Sequence, residues 1–261
     1  MPSKTWFITG TSRGIGLEIA RAALAAGHAV AATSRRRADV TAALGAQANL
    51  LALDLDVVDT AAIGAAVHAA EARFGGIDVL VNNAGYGHMG MFEETTEAEM
   101  RAQFETNVFG LMNVTRAVLP GMRARRRGHV MNMSSVAGVV GFTAASLYCA
   151  SKFAVDGFSL TLAGELKDLG IQVTIVAPGF IRTDFLDKTS LKTSPLSVPD
   201  YADTSAQIRA TFDSYNQKRP GDAVRLAGSD ALQMTQARLA AAQAELDGHR
   251  ELSASVDGQW G

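Results

Sequence analysis

Trp6-Phe7-Ile8-Thr9-Gly10-Thr11-Ser12-Arg13-Gly14-Ile15-Gly16 runs from a short apolar strand through a glycine-bearing turn into an amphipathic stretch. Glycines at such a turn let the backbone bend sharply. They also bring an anion such as a pyrophosphate close to a helix N-terminus, whose N–H groups and dipole favour negative charge. The spacing is Gly-x-x-x-Gly-x-Gly rather than Gly-x-Gly-x-x-Gly. A tight turn before a helix is common for purely structural reasons. The strand–loop–helix setting nevertheless makes Gly10, Ser12, Arg13, Gly14, Ile15 and Gly16 the candidate phosphate loop.

Outward from this loop the same pattern repeats. Apolar strands are expected at Trp6–Thr9, Ala29–Thr33, Leu50–Leu53, Val79–Asn82, His129–Met133 and Val173–Ala177. Most are apolar on both faces, as parallel strands between two helix layers must be. Helical stretches are expected near Gly16–Ala26, Thr60–Phe74, Glu97–Arg125 and Leu147–Leu169. The alternation predicts an α/β fold with one doubly wound parallel sheet, a Rossmann fold, in a single domain over 1–261. From about 180 to 261 the pattern predicts a substrate loop and a C-terminal helical region. Phe180–Tyr201, rich in Thr, Ser, Lys and Pro, reads as a mobile loop, followed by helices at Tyr201–Gln217 and Ser229–Leu252.

The 261 residues carry 24 Lys plus Arg against 26 Asp plus Glu, a formal charge of −2, which gives no footprint for nucleic acid or an acidic membrane. No window suits a membrane span, and the N-terminus lacks a signal-peptide pattern, so a cytoplasmic protein is expected. The single cysteine, Cys149, cannot form an internal disulfide. The five histidines show no metal-ligand spacing, and no metal is expected.

The second strand ends in Thr33-Ser34-Arg35-Arg36-Arg37, with no acid before Asp39. A carboxylate there would hold a ribose 2′-hydroxyl, whereas an arginine accommodates a 2′-phosphate. Arg35, with Arg13 facing the same place, therefore points to NADP(H) over NAD(H) by charge-assisted hydrogen bonds. A solvated arginine loop is the bland alternative. Asp56-Val57 is placed to meet an adenine, or else caps a strand end. Asn83, Ala84 and Gly85, after the fourth strand, would let backbone lie beside a flat cofactor, or simply form an Asn-rich turn.

Tyr148 and Lys152 lie four residues apart at the start of a helical stretch and share a face. A unit positive charge about 4 Å from a phenol contributes on the order of 4 kcal/mol at an effective dielectric of 20, enough to bring a tyrosine toward neutral pH. Ser134-Ser135 ends the fifth strand, at the carboxyl edge where such sheets bind ligands. Asn107 falls inside the long fourth helix, where asparagine is a poor helix former, and a locally irregular turn there could hold a water.

Thr9-Gly10-x-x-x-Gly14-x-Gly16, Asn82-Asn83-Ala84-Gly85, Asn107, Ser135, Tyr148-x-x-x-Lys152 and Pro178-Gly179 together resemble the short-chain dehydrogenase/reductase family, over roughly residues 5 to 185. The resemblance implies an oxidoreductase moving hydride between NADP(H) and a carbonyl or alcohol substrate. It implies Tyr148 as general acid in reduction or base in oxidation. Lys152 lowers its pKa and holds the nicotinamide ribose, Ser135 fixes the carbonyl oxygen, and Asn107 anchors a water in the proton relay. Ser135 is preferred over Ser134 because thirteen positions before the tyrosine is the family spacing. Pro178, Gly179, Ile181 and Thr183 fall in the segment the family places beside the nicotinamide carboxamide. Tyr148-Cys149-Ala150-Ser151-Lys152 and Gly228-Ser229-Asp230-Ala231-Leu232 resemble the retinol and 17β-hydroxysteroid dehydrogenase-like branch, which suggests a hydrophobic substrate. A homodimer or homotetramer is the family expectation.

One departure stands out. Relatives place a helix between a Pro-Gly-Asp turn and the last strand, but here Pro220-Gly221-Asp222 passes almost directly into Ala223-Val224-Arg225-Leu226. His88 and Met89 are candidates for the substrate pocket. Arg123, Arg125, Arg126 and Arg127 read as a solvated helix end. A non-catalytic NADP(H)-binding regulator of the same fold is the competing function, disfavoured because sensing needs no acid–base group.

Overall fold

Alternate residues of the central strands pack into two separate cores, and this splits the molecule into layers. The computed structural model of the protein describes residues 3–179, 181–182, 185, 187, 190–215 and 221–222. In chain order its elements are β1 (Thr5–Thr9), α1 (Gly14–Ala25), β2 (Ala29–Ser34), α2 (Arg37–Leu44), β3 (Leu50–Asp54), α3 (Thr60–Phe74), β4 (Val79–Asn82), β5 (Gly87–Met89), α4 (Glu97–Phe104), α5 (Leu111–Arg125), β6 (Gly128–Met133), α6 (Ser146–Leu166), β7 (Ile171–Val176), β8 (Ile181–Arg182), β9 (Leu191–Thr193), α7 (Ala202–Tyr215) and β10 (Gly221–Asp222).

Phe7 of β1, Ala31 of β2 and Leu80 of β4 face one side, where α3, α5 and α6 cover them with Ile63, Val67, Val114, Val118, Met122 and Leu162. Ile8, Val30, Ala32, Val79 and Val81 face the other, under Ala20 and Leu24 of α1 and Val40 and Leu44 of α2. A strand sandwiched in this way must be apolar at every position, which is why these strands read as continuous apolar runs. Cutting back a fully buried side chain such as Leu80 to alanine costs about 2–5 kcal/mol.

The main sheet has the order β3-β2-β1-β4-β6-β7. All its strands are parallel. The order reverses between β1 and β4, and the crevice at the carboxyl ends of these two strands is where such a sheet takes a ligand. The fold is the single-domain doubly wound sheet expected. Two predicted elements, β4 and α3, match their observed bounds. Helix α3 starts cleanly because the Asp59 carboxylate accepts from Ala61 N and Ala62 N at 2.9 and 3.0 Å, and it stops at Gly75 with φ +84°.

Four expectations change. The single helix Glu97–Arg125 is three pieces, α4 and α5 joined by a π-helical turn over Glu105–Gly110. The stretch Leu147–Leu169 is α6 plus a closing 3-10 turn at Lys167–Leu169. Helix α2 was not foreseen; its first residue is held by the Asp54 carboxylate, which accepts from Arg37 N at 2.6 Å. Inside the expected loop, β9 pairs with β5 in a separate parallel ladder, and Gly87 N donates to Ser190 O at 2.8 Å. Periodicity cannot reveal three-residue strands whose partner is a hundred positions away. The helix expected at Tyr201–Gln217 is α7, after a 3-10 turn at Pro199–Tyr201. The helix expected at Ser229–Leu252 and the stretch Ala223–Leu226 lie outside the described residues, while Gly221-Asp222 pairs with β8.

Candidate active site

A cavity of about 530 Å³ opens at the carboxyl ends of β1 and β4 and collects most of the residues singled out above. Its floor at one end is the glycine loop. Gly10 and Gly14 have φ of +71° and +59°, the left-handed region that L side chains disfavour. A Cβ at Gly16 would lie 2.3 Å from Asn83 Nδ2 and 2.4 Å from Gly10 O. The reason is that Asn83 laces the loop to the sheet. Its Nδ2 donates to Thr9 O and Gly10 O, both at 2.9 Å, while Thr9 Oγ1 accepts from Asn83 N and Ala84 N. The Asn-Asn-Ala-Gly turn is therefore the clamp that holds the phosphate loop open at the start of α1. No acidic residue lies in the first turn of that helix to compete with an anion.

At the end of β2, Ser34 Oγ donates to Arg36 O at 2.6 Å and accepts from Arg36 N at 3.2 Å, a local turn at whose apex Arg35 lies, lining the cavity. Arg36 pairs with Asp39 at 3.0 Å and Arg37 with Asp54 at 3.6 Å, whereas Arg35 has no acidic partner among the described residues. Arg13 is held from a distant part of the chain. Its Nη2 donates to Ser190 Oγ at 2.7 Å, and Ser190 is held over the start of β5, on the β4 side of the loop. Arg13 and Arg35 both line the cavity, and Ser190, just before β9, holds the Arg13 guanidinium. Asp56 and Val57 also line the cavity; the Asp56 carboxylate accepts from Val58 N at 3.2 Å, as a strand-end turn would.

At the other end stand the acid–base candidates. Ser135 ends the strand β6 edge and caps a 3-10 turn, accepting from Ala137 N at 3.1 Å, and its hydroxyl reaches the phenol of Tyr148. Ser134 Oγ is buried and has no hydrogen-bond partner among the described residues. Lys152 Nζ donates to Met133 O at 2.7 Å and lies 5.7 Å from the Tyr148 ring centre. Burial has the larger say in the tyrosine's acidity. Burial pushes the Tyr148 phenol up to about 12, the Ser135 hydrogen bond opposing it. Burial likewise pushes Lys152 down to about 8, with the Asp156 carboxylate opposing. Desolvation outweighs the pairing at this distance. At neutral pH the phenol is protonated, the form a general acid needs.

Asn107 sits in the π-helical turn, so the irregularity expected of it is real. Its side chain bonds to Tyr86 and Ser151. Oδ1 accepts from Tyr86 N at 3.1 Å, and Nδ2 donates to Tyr86 O at 2.9 Å and to Ser151 Oγ at 3.2 Å. Ser151 Oγ in turn donates to Tyr148 O at 2.8 Å, so Asn107 ties the helix bearing Tyr148 to the turn after β4.

Ala84, Gly85, Pro178 and Gly179 line the cavity. Val136 N donates to Pro178 O at 3.0 Å. Ile181 is in β8, and Thr183 lies outside the described residues. Met89 lines the cavity but His88 does not; its imidazole faces Glu99 Oε1 at 3.3 Å behind the wall. Several lining residues escaped the sequence reading: Tyr86, Phe142, Phe185, Ser190, Leu191 and Lys192. Phe185 packs on Tyr148 with ring centres 5.6 Å apart. Only the exposed apolar run at 139–142 could have been noticed beforehand. Among the described residues no group of His, Cys, Asp or Glu could hold a metal, and no helix is long and apolar enough to cross a membrane. The basic helix end is tied down locally, Arg125 Nη2 donating to Ile77 O at 2.7 Å and Arg127 lying 3.4 Å from Asp78.

The model of the short chain dehydrogenase family matches residues 4–194, from β1 through β9. The chain belongs to this family. Among curated proteins it is 39% identical over 206 residues to oxidoreductase BOA17 of Botryotinia fuckeliana, covering 78% of this chain and 75% of that protein. It is 39% identical over 197 residues to the 3-ketodihydrosphingosine reductase of Bacteroides thetaiotaomicron, covering 76% and 71%. Among solved structures, a short-chain dehydrogenase from Streptomyces avermitilis superimposes with a TM-score of 0.79 at 37% identity, covering 97% of this chain and 99% of that one. The closed form of a serine dehydrogenase complexed with NADP+ gives 0.71 at 31%, covering 85% and 86%. The protein is thus an oxidoreductase of the short-chain dehydrogenase family, and the cavity just described is its candidate active site.

Proposed function

We propose that this short-chain dehydrogenase is an NADP(H)-dependent reductase of hydrophobic ketones or aldehydes, and oxidises the matching alcohols in reverse, with Tyr148 as general acid and base. The observation that carries the reading is one cavity with an open glycine cradle at one end and the Ser135–Tyr148 hydroxyl pair at the other. The cradle fits a dinucleotide. The missing Cβ at Gly16 lets Asn83 Nδ2 and Gly10 O close in on that helix start, and Asn83 thereby holds the loop in its turn. Gly10, Ser12, Gly14 and Ile15 would hold the pyrophosphate, Asp56 and Val57 the adenine, and Lys152 the nicotinamide ribose. Arg35 would hold the 2′-phosphate, being the arginine of its cluster with no acidic partner. Two structural relatives carry NADP or NADP+, ElxO at 28% identity and the serine dehydrogenase.

The bound nicotinamide supplies the hydride. Ser135 Oγ orients the carbonyl oxygen, and the Tyr148 phenol gives it a proton as negative charge develops there. A phenol near 12 is protonated at neutral pH, the form from which it can donate to the carbonyl oxygen. Positioning does much of the rest, since the reacting groups are held on α6 and the β6 edge. The 3-ketodihydrosphingosine reductase similarity supports a hydrophobic ketone. Exposed Phe109, Phe153 and Leu160, on the π-helical turn and α6, support a homodimer or homotetramer.

The test is NADPH consumption with the purified protein over a panel of hydrophobic ketones, aldehydes and alcohols, repeated with NADH. Turnover of at least one carbonyl compound with NADPH, and slower turnover with NADH, is the expected result. Tight NADPH binding with no turnover across the panel would favour a regulatory protein instead.

A further inference from the structure

A run of five consecutive exposed residues, Val139-Val140-Gly141-Phe142-Thr143, reaches the cavity through Phe142, which lines it, and makes a lip there. Three are large and apolar, with 53%, 47% and 36% of the surface of Val139, Val140 and Phe142 open to solvent. Single exposed apolar residues are ordinary, but a contiguous run beside a cavity is not. The run is also built rather than slack. Val139 N and Val140 N both donate to Val136 O at 3.1 Å, and Ala144 O accepts from Gly90 N at 2.9 Å, fastening the loop to the end of β5. Ala144 itself has φ +60°, a conformation that a non-glycine residue keeps only when its surroundings impose it.

Phe142 belongs to two surfaces at once, lining the cavity and standing in the exposed run. Tyr148 packs with Ala137, Ala145 and Met89 and against Phe185, Ala145 N donates to Phe142 O at 3.1 Å, and all of these residues line the cavity. Apolar lining is therefore continuous from the acid–base pair to the outside. A cavity of about 530 Å³ is the size that encloses one drug-sized ligand, and a dinucleotide also has to enter it, so little room remains for a long substrate.

We infer that the substrate is a carbonyl compound with an extended apolar chain, and that the chain leaves the cavity past Phe142 to lie on Val140 and Val139. This rests on the carbonyl-reductase reading and adds to it the shape of the substrate. The occupant of the lip is the substrate's own chain, because the apolar path leads to it unbroken from the reacting centre.

The experiment measures kcat/KM with saturating NADPH for a straight-chain ketone series of about four to about twelve carbons, where each methylene moved from water onto the apolar path should add roughly threefold to fourfold until the lip is covered. In the double variant Val139→Asp/Val140→Asp, and in the milder Val140→Ser, the gain per methylene should shrink toward onefold for the longer members. Melting temperature and NADPH affinity check that each variant is folded. A wild-type series that is flat with chain length, while short ketones are reduced, overturns the inference and leaves the reductase reading standing. So does a double variant that keeps the full slope, including one that changes only the oligomeric state seen by light scattering, which would make the lip a contact between copies. Failure to reduce any carbonyl compound overturns both.

Discussion

Lys152 hangs its Nζ on the carbonyl oxygen of Met133 at 2.7 Å, and so is held at the end of β6 beneath the Tyr148 ring. Burial leaves this ammonium with a pKa of about 8 rather than 10.5. The reductive kcat/KM should therefore break downward with an apparent pKa near 8, as the positive charge that favours the phenolate left after proton transfer is lost. In Lys152→Met the rate should be lower by about 10²-fold and the break gone. A wild-type profile flat through pH 9 would count against the lysine's role.

The same shift has a stability consequence. The folded pKa lies below the unfolded one, so the unfolded chain binds more protons between about pH 8 and pH 10.5, and stability rises with pH across that window. The burial penalty is fully present below about pH 8. In denaturant unfolding at a series of pH values, the advantage of Lys152→Met over the wild type should be largest below pH 8 and shrink toward pH 10.5.

Tyr148→Phe keeps the ring against Phe185 and removes only the proton donor. Turnover should fall by about 10²–10⁴-fold or more while NADPH affinity, read by fluorescence titration, stays within a few-fold. Residual turnover above a tenth of wild type would remove the tyrosine from the chemistry.

Arg35→Ala should weaken NADPH by about tenfold or more, the worth of a charge-assisted hydrogen bond to phosphate, and leave NADH nearly unchanged. Arg36→Ala should do neither, since Arg36 is already paired with Asp39. Equal losses for both nucleotides in the Arg35 variant would overturn the cofactor preference.

Gly16→Ala drives a Cβ to 2.3 Å from Asn83 Nδ2 and 2.4 Å from Gly10 O. The loop must shift or the clamp must open, at about 1–3 kcal/mol, so the melting temperature should fall by roughly 2–12 °C. Nucleotide binding should be lost in parallel. A stable variant that still binds NADPH would mean that the clamp is dispensable.

Most of the sheet was legible because a buried parallel strand has no solvent face. Val79–Asn82, buried at every position, announces itself as an apolar run whatever surrounds it. Tyr148, Lys152, Ser135 and the glycine loop were legible as a joint pattern, and the fold brings them to one cavity. The partners that hold them were not. The π-helical turn at Asn107, the bond from Arg13 to Ser190 and the ladder of β5 with β9 each join residues far apart in the chain, and no local pattern records such a contact.

By itself, then, the sequence determined the layers, the strand edge at which a ligand binds, and the chemical groups offered there, because periodicity and residue type are local properties. Only the tertiary structure decided the acidities of Tyr148 and Lys152, which of the arginines stands without an acidic partner, and that Asn107 spends its amide on Tyr86 and Ser151. Those depend on desolvation and on distances between distant residues, which exist only once the chain has closed around them.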